Sequence, residues 1–223
     1  WFGTAPDASY RATDLNLSIQ GTNFEMHWPD GESTRINLQI LGEHHVMNAL
    51  AACAVADQLD VPREVTVAAL EALPLAERWR MQLTNRPDDI AIINDAYNAS
   101  PDSTKAALQT LATLGRQGHR TIAVLGEMAE LGSQAAEQHD AIGRIAVRLN
   151  IDQVVVVGER AKLIHMGASQ EGSWDGESKF YESIDEALEA VRGLLGSGDI
   201  VLVKSSKSAN LRFLGDALAE VKQ

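Results

Sequence analysis

Ala91-Ile92-Ile93-Asn94-Asp95-Ala96-Tyr97-Asn98-Ala99-Ser100-Pro101-Asp102-Ser103 joins an apolar run to a dense polar turn and a helix start. Its apolar start predicts a short buried strand over residues 91–94. Ser100-Pro101-Asp102 predicts a helix from Pro101: a hydroxyl that caps, a proline at the first helical position, and an acid beside the positive helix end. Between strand and helix stand Asp95, Tyr97 and Asn98, which neither element requires. Ligands of open α/β sheets bind beyond the carboxyl ends of strands. These three residues, with Ser100 on the same turn, are therefore the first candidates for chemistry.

Downstream the same alternation repeats. Strands are expected at 121–125, 153–157, 179–181 and 200–204, and helices at 101–114, 133–149, 161–167, 184–195 and 209–221. Val154-Val155-Val156-Val157 and Ile200-Val201-Leu202-Val203 are apolar at every position, which suits strands covered on both faces. Strands alternating with helices imply an α/β domain with a mostly parallel sheet and right-handed crossovers. Only 169–178 reads as loose.

Upstream the period is different. Residues 14–19 and 24–28 alternate polar and apolar, with turns at Gly21-Thr22-Asn23 and Pro29-Asp30-Gly31-Glu32 and a return strand over 35–41. This predicts an antiparallel β meander, with His27 on its polar face beside Glu25. Helices over 46–59 and 62–73 follow, the second stopped by Pro74. The segment Leu75-Ala76-Glu77-Arg78-Trp79-Arg80-Met81 is expected to divide a first domain, 1–81, from a second, 82–223.

With 19 Lys and Arg against 31 Asp and Glu, the formal net charge is −12. No basic patch is evident to neutralise the phosphates of a nucleic acid or an anionic membrane. A nucleotide needs only local cations and backbone amides, so it stays open. No run approaches membrane-spanning length and no secretory leader is evident. The single cysteine, Cys53, lies in an alanine-rich helix. It can form no intramolecular disulfide and suits a small core position. The first residues, Trp1-Phe2-Gly3-Thr4, read as the middle of a strand, so a piece of a longer protein is expected.

Neither G-x-x-x-x-G-K-[ST] nor a strand-borne G-x-G-x-x-G occurs; Gly193-Leu194-Leu195-Gly196-Ser197-Gly198 ends a helix instead. No zinc spacing is present and no metal ligands are expected here. Four polar clusters remain, each with a structural and a functional reading. His44-His45, with Asn48 one turn later, either cap a helix or face a nucleotide from its positive end. Arg78-Trp79-Arg80 suits phosphate contacts and base stacking, or salt bridges between domains. Leu125-Gly126-Glu127-Met128-Ala129-Glu130-Leu131-Gly132 puts two carboxylates at a strand end, with His139 nearby in the next helix, and either faces a cleft or is a solvated loop. Lys204-Ser205-Ser206-Lys207-Ser208 makes an anion site or a helix start.

Asp95-x-Tyr97-Asn98-Ala99-Ser100-Pro101 resembles a signature of the Mur ligase family. Four stretches agree with it in order: Gly42-x-His44-x-x-x-Asn48-Ala49-Leu50-Ala51-Ala52, Arg80-Met81, Leu125-Gly126-Glu127-Met128-x-Glu130-Leu131-Gly132, and Val201-Leu202-Val203-Lys204. The resemblance is nearest to the branch that adds D-alanyl-D-alanine to a UDP-N-acetylmuramoyl-tripeptide in peptidoglycan precursor synthesis. It implies that 1–81 is the end of a central ATPase domain and that 82–223 is a Rossmann-like ligase domain. It also implies ATP with Mg2+, the Mg2+ ligands and the phosphate loop lying mostly upstream, and no activity for these residues alone. His44, Asn48, Arg80 and Asp95 would bind ATP. Tyr97, Asn98, Ser100, Glu127, Lys204 and Ser205 would line the substrate cleft. A monomeric, cytoplasmic enzyme is expected. Two departures stand out: His45 where the family often has asparagine, and Lys204-Ser205-Ser206-Lys207 where it usually has lysine-glycine-serine-arginine. Another ligase of the superfamily, such as a folylpolyglutamate synthase type, and a non-catalytic Rossmann-like binding module are the alternatives.

Overall fold

Alternating apolar residues in the first forty positions give one face that must be buried, and they form a sheet ordered β1-β2-β3-β4. A computed structural model describes residues 1–73, 77–172 and 176–220. Its strands here are β1 (Phe2–Gly3), β2 (Tyr10–Ser18), β3 (Gly21–His27) and β4 (Ser33–Leu38). β2, β3 and β4 form the expected antiparallel meander, but β1 pairs parallel to β2. The intervening turn brings the chain back to run alongside itself, and Ser9 and Tyr10 N–H both donate to the Trp1 carbonyl.

The first hairpin turn lies before Gly21 rather than at Gly21-Thr22-Asn23, which belong to β3. Gly21 adopts φ +130, and a Cβ there would sit 2.1 Å from the Leu38 carbonyl oxygen. Its glycine serves close strand approach, not the turn. A bulge between Thr13 and Asn16 interrupts the alternation, so Leu15 faces out while Leu17 is buried. His27 is half-buried and shares a 2.8 Å hydrogen bond with Thr13.

α1 (Glu43–Gln58), beginning three residues before the expected start, and α2 (Arg63–Glu71) cover this sheet. Val46, Ala49, Leu50 and Cys53 of α1 pack on Phe24, Met26, Trp28, Ile36 and Leu38. Burial pushes the Cys53 thiol up to about 11, so it stays a neutral core group.

The chain divides into two compact units, Trp1–Ala76 and Glu77–Gln223. The second contains β5 (Gln82–Asn85), β6 (Ala91–Asp95), α3 (Pro101–Gly115), β7 (Arg120–Leu125), α4 (Ala135–Arg148), β8 (Gln153–Val157), α5 (Lys162–Glu171), β9 (Ser178–Tyr181), α6 (Ile184–Leu194), β10 (Asp199–Lys204) and α7 (Leu211–Ala219). Short 3-10 turns precede α4, α5 and α7. The sheet order is β5-β6-β10-β7-β8-β9. All neighbours run parallel except β5, an antiparallel edge strand on β6 that the sequence reading lacks. Gln82-Leu83-Thr84-Asn85 is too short and polar to carry a periodic signal. The Pro74 helix stop, Leu75 and Ala76 of the dividing segment, the middle of the 169–178 stretch and the Val221 helix end lie outside the described residues. Among the described residues, no helix is long and apolar enough to cross a membrane.

Candidate functional site

Strand order fixes where a ligand can sit. From β6 through α3, α4 and α5 the chain steps one way across the sheet to β9, then α6 carries it back to β10, between β6 and β7. Right-handed crossovers therefore place α3–α5 on one face and α6 and α7 on the other. Accordingly, Ala187, Val191, Leu211, Leu214 and Leu218 of α6 and α7 share one core with Ile92, Val124, Val201 and Val203. The chain leaves the neighbouring strands β6 and β10 toward opposite faces, which opens a crevice at their carboxyl ends.

Asp95 and Lys204 stand opposite each other at those ends. Lys204 Nζ donates to Asp95 Oδ2 at 2.7 Å and to the Asn98 carbonyl at 2.9 Å. Met81 N–H donates to Asp95 Oδ1 at 3.0 Å. The side chains are 2 % and 14 % exposed, so the pair is an internal ion pair. Lys204 is thus not open to an external anion: the chain supplies its counter-ion. Ser205 is fully buried and donates to the Ser206 carbonyl. Ser206 Oγ accepts from Ala129 N–H at 2.8 Å, and Ser206 N–H donates to the Glu127 carbonyl at 2.8 Å. These bonds join the end of β10 to the loop after β7. The Glu127 carboxylate is half-buried and meets Arg160 at 3.3 Å. His139 is buried and holds the same loop. Its Nε2 accepts from Met128 N–H at 2.9 Å and its Nδ1 lies 2.7 Å from the Ala135 carbonyl, which fixes the proton on Nδ1.

Above the ion pair lies an aromatic cluster ringed by cations. Trp79 and Tyr97 stack with centroids 6.4 Å apart and planes 13° from parallel. The Arg80 guanidinium lies 4.7 Å and the Lys207 ammonium 5.2 Å from the Tyr97 ring centre. Arg78 lies 4.6 Å and Arg212 5.4 Å from the Trp79 ring centre. In a chain of net charge −12, four cations around two stacked rings form a local surface suited to an anion bearing a flat ring. Arg80 and Arg78 also meet carboxylates, Glu77 at 2.6 Å and Asp216 at 3.0 Å, but both arginines are largely exposed, unlike Lys204. Asn98 is exposed beside it. Ser100 caps α3 in a reciprocal box with Ser103.

His44 and Asn48 belong to the other unit, exposed on the first turns of α1. The His44 and His45 rings are 4.1 Å apart, and His45 Nε2 is buried without a hydrogen-bond partner. Burial, then the charge of His44, pushes the His45 imidazole down to about 4. The unfolded chain therefore takes up this proton first as the pH falls. The contribution is intact above about pH 6.5 and is lost between there and 4, with a slope of at most about 1.4 kcal/mol per pH unit. Urea denaturation of this unit should show that loss, and His45→Asn should flatten the pH dependence.

Among the described residues, no group of three or more His, Cys, Asp and Glu side chains could hold a metal ion. The sequence reading missed Arg212, beside the Trp79 ring, and the pair Asn94 and Asp216, whose side chains meet at 3.0 Å. Asn94, a buried amide following Ala91-Ile92-Ile93, was the one available signal.

The model of the Mur ligase glutamate ligase domain matches residues 79–207, and that of the Mur ligase middle domain matches residues 1–56. The chain belongs to the Mur ligase family. Its relatives include the UDP-N-acetylmuramoyl-tripeptide–D-alanyl-D-alanine ligases of Mycobacterium tuberculosis (strain ATCC 25618 / H37Rv), 44 % identical over 87 % of this chain and 41 % of the relative, and of Bacillus subtilis (strain 168), 33 % identical over 98 % and 47 %. A crystal structure of MurF from Acinetobacter baumannii superposes with a TM-score of 0.82 at 30 % identity, covering 99 % of this chain and 47 % of that one. MurF from Thermotoga maritima in complex with ADP shares the fold, with a TM-score of 0.79 at 21 % identity over 98 % of this chain and 47 % of that one. The chain thus spans less than half the length of these relatives.

Proposed function

We propose that this chain is the carboxyl-terminal part of an ATP-dependent amide ligase that joins D-alanyl-D-alanine to a UDP-N-acetylmuramoyl-tripeptide in peptidoglycan precursor synthesis. Residues 1–81 would end its central ATPase domain and 82–223 form its ligase domain. The observation that carries this reading is 44 % identity, over 87 % of the chain, to a ligase of that name. The crevice at the ends of β6 and β10 supports it.

In this reaction ATP transfers its γ-phosphoryl group to the tripeptide carboxylate, releasing ADP. The amine of D-alanyl-D-alanine then attacks the acyl phosphate, and phosphate leaves with formation of the amide. Catalysis of this kind rests on positioning and on stabilising charge on the phosphoryl group. Arg80 is the cation suited to the ATP phosphates. Asp95, whose oxygens each accept one protein bond, keeps acceptor capacity for a ribose hydroxyl. Tyr97, Asn98, Ser100 and Glu127 line the crevice, with Lys204 and Ser205 beneath it as its anchor. His44 and Asn48 belong to the ATP side by family resemblance. Mg2+ would polarise the transferring phosphates, but the described residues provide no cluster that fits it, so no step here runs through it. A cytoplasmic monomer suits this role.

The test is the full-length protein incubated with ATP and both substrates. ADP, phosphate and the ligated product are expected; ligation of a different amino acid in place of D-alanyl-D-alanine would move the protein to another branch, and no ATP cleavage would refute the ligase reading. Arg80→Ala, at an exposed position, should raise the KM for ATP by roughly 10- to 100-fold, the loss of one charge-assisted contact.

A further inference from the structure

Arg80 is held in an unusual place. It lies between Trp79 and Met81, which adopt φ +62 and φ +45, a left-handed conformation that side-chain-bearing residues avoid unless their surroundings impose it. Trp79 N–H donates to Gln82 Oε1 at 3.0 Å, the Trp79 carbonyl accepts from Tyr97 N–H at 3.2 Å, and Met81 N–H binds Asp95. Arg80 N–H donates to the Glu77 carbonyl at 3.2 Å, and Arg80 Nε meets Glu77 Oε2 at 2.6 Å across an exposed pair. A further tie, to the neighbouring indole, comes from α7. Trp79 Nε1–H donates to both Asp216 oxygens, at 3.1 and 3.0 Å, and Arg78 Nη2 donates to Oδ2 at 3.0 Å. Asn94 Nδ2, from within β6, donates to Asp216 Oδ1 at 3.0 Å and to the Arg212 carbonyl at 2.8 Å. Space for that amide exists because residue 215 is glycine: a Cβ there would lie 2.4 Å from Asn94 Nδ2. One carboxylate, 26 % exposed, therefore gathers donors from the sheet, from the turn and from its flanking arginine.

We infer that Asp216 is a positioning residue for the nucleotide: by holding Trp79 it fixes the turn that aims Arg80 and the ring on which Tyr97 stacks. This rests on the role in ATP binding proposed for Arg80. Asp216 itself touches no substrate. Its effect should appear in ATP affinity and pass through Arg80, whereas a merely structural carboxylate would change the amount of active enzyme and leave affinity alone.

The experiment is steady-state kinetics on the full-length protein, comparing wild type, Arg80→Ala, Asp216→Asn and the double variant, with ATP and D-alanyl-D-alanine varied separately. Asparagine keeps the shape of Asp216 but offers one acceptor oxygen where three donor groups converge. The ATP KM of Asp216→Asn should rise roughly tenfold with the KM for D-alanyl-D-alanine unchanged, and the double variant should bind ATP no worse than Arg80→Ala alone. If Arg80→Ala raises the ATP KM while Asp216→Asn does not, or if the two effects multiply, the positioning role is overturned and the assignment of Arg80 stands. If Arg80→Ala leaves the ATP KM unchanged, that assignment is refuted and this inference falls with it. Should Asp216→Asn fail to fold, Trp79→Phe removes the indole donor, keeps an aromatic ring, and must show the same split between the two KM values; equal values to wild type would overturn the inference.

Discussion

Lys204→Met is expected to lower the unfolding free energy of the Glu77–Gln223 unit by about 3–5 kcal/mol. Methionine fills much the same space, so the cost lies in what is left behind. The Asp95 carboxylate, 14 % exposed, would lose the ammonium at 2.7 Å and, among the described residues, keep Met81 N–H as its partner. The Asn98 carbonyl would lose its donor as well. Removing both charges is a different experiment. Lys204→Met with Asp95→Leu should recover much of the loss, because two buried charges replaced by apolar groups of similar size no longer need each other. Urea denaturation followed by fluorescence, in a background where Trp1, Trp28 and Trp174 are replaced by phenylalanine so that Trp79 alone reports, measures both. A single variant within 1 kcal/mol of wild type, on the order of a surface pair, would show that the pair is solvated rather than internal.

That ion pair also marks how far the site was legible in the sequence. Asp95, Tyr97 and Asn98 stood out because no strand or cap explained them, and all three lie at the crevice between β6 and β10. Lys204 stood out as a cation at a strand end, and the register of β6 against β10 was invisible in one dimension. Without it, Lys204 read as open to an anion, whereas Asp95 is paired directly opposite. His139 shows the same limit: its place early in the helix after the loop was readable, but its bond to Met128 N–H depends on how the loop folds back. Asp216 gave no local signal, since its partners Arg78, Trp79 and Asn94 are more than a hundred residues away in the chain.

The fold was more legible, because periodicity is local. All five parallel strands were expected within a residue of their ends. β5 was missed for want of apolar residues, and the bulge at Asp14 hid the true face of Leu15. Turn residues misled at Gly21, where glycine was taken for a turn and serves instead to admit the Leu38 carbonyl. A glycine's local meaning is therefore set by what approaches it.

The same distinction governs the pair of helices α4 and α5, where Gly143→Ala and Gly167→Ala are each expected to destabilise by about 3 kcal/mol, at the upper end of the range for overpacking. In an exposed helix the exchange would have the opposite sign, since alanine is favoured over glycine by about 1 kcal/mol. Here a Cβ on Gly143 would stand 1.9 Å from the Ile164 carbonyl oxygen, and one on Gly167 would stand 2.2 Å from that of Asp140. Both obstacles are helix backbone, which cannot swing aside as a side-chain tip can, so the helices must separate. The ion pairs across the same contact, Arg144 with Glu171 at 3.2 Å and Arg148 with Glu171 at 2.7 Å, are partly exposed and worth less than about 1 kcal/mol each. They cannot offset a forced separation and would be strained by it. Gly193, in α6 with nothing within 4 Å of its added Cβ, is the internal control: Gly193→Ala should stabilise by about 0.5–1 kcal/mol. Thermal denaturation of the three variants tests the argument through its signs, and a stabilising Gly143→Ala would mean that α4 and α5 do not meet at their glycines.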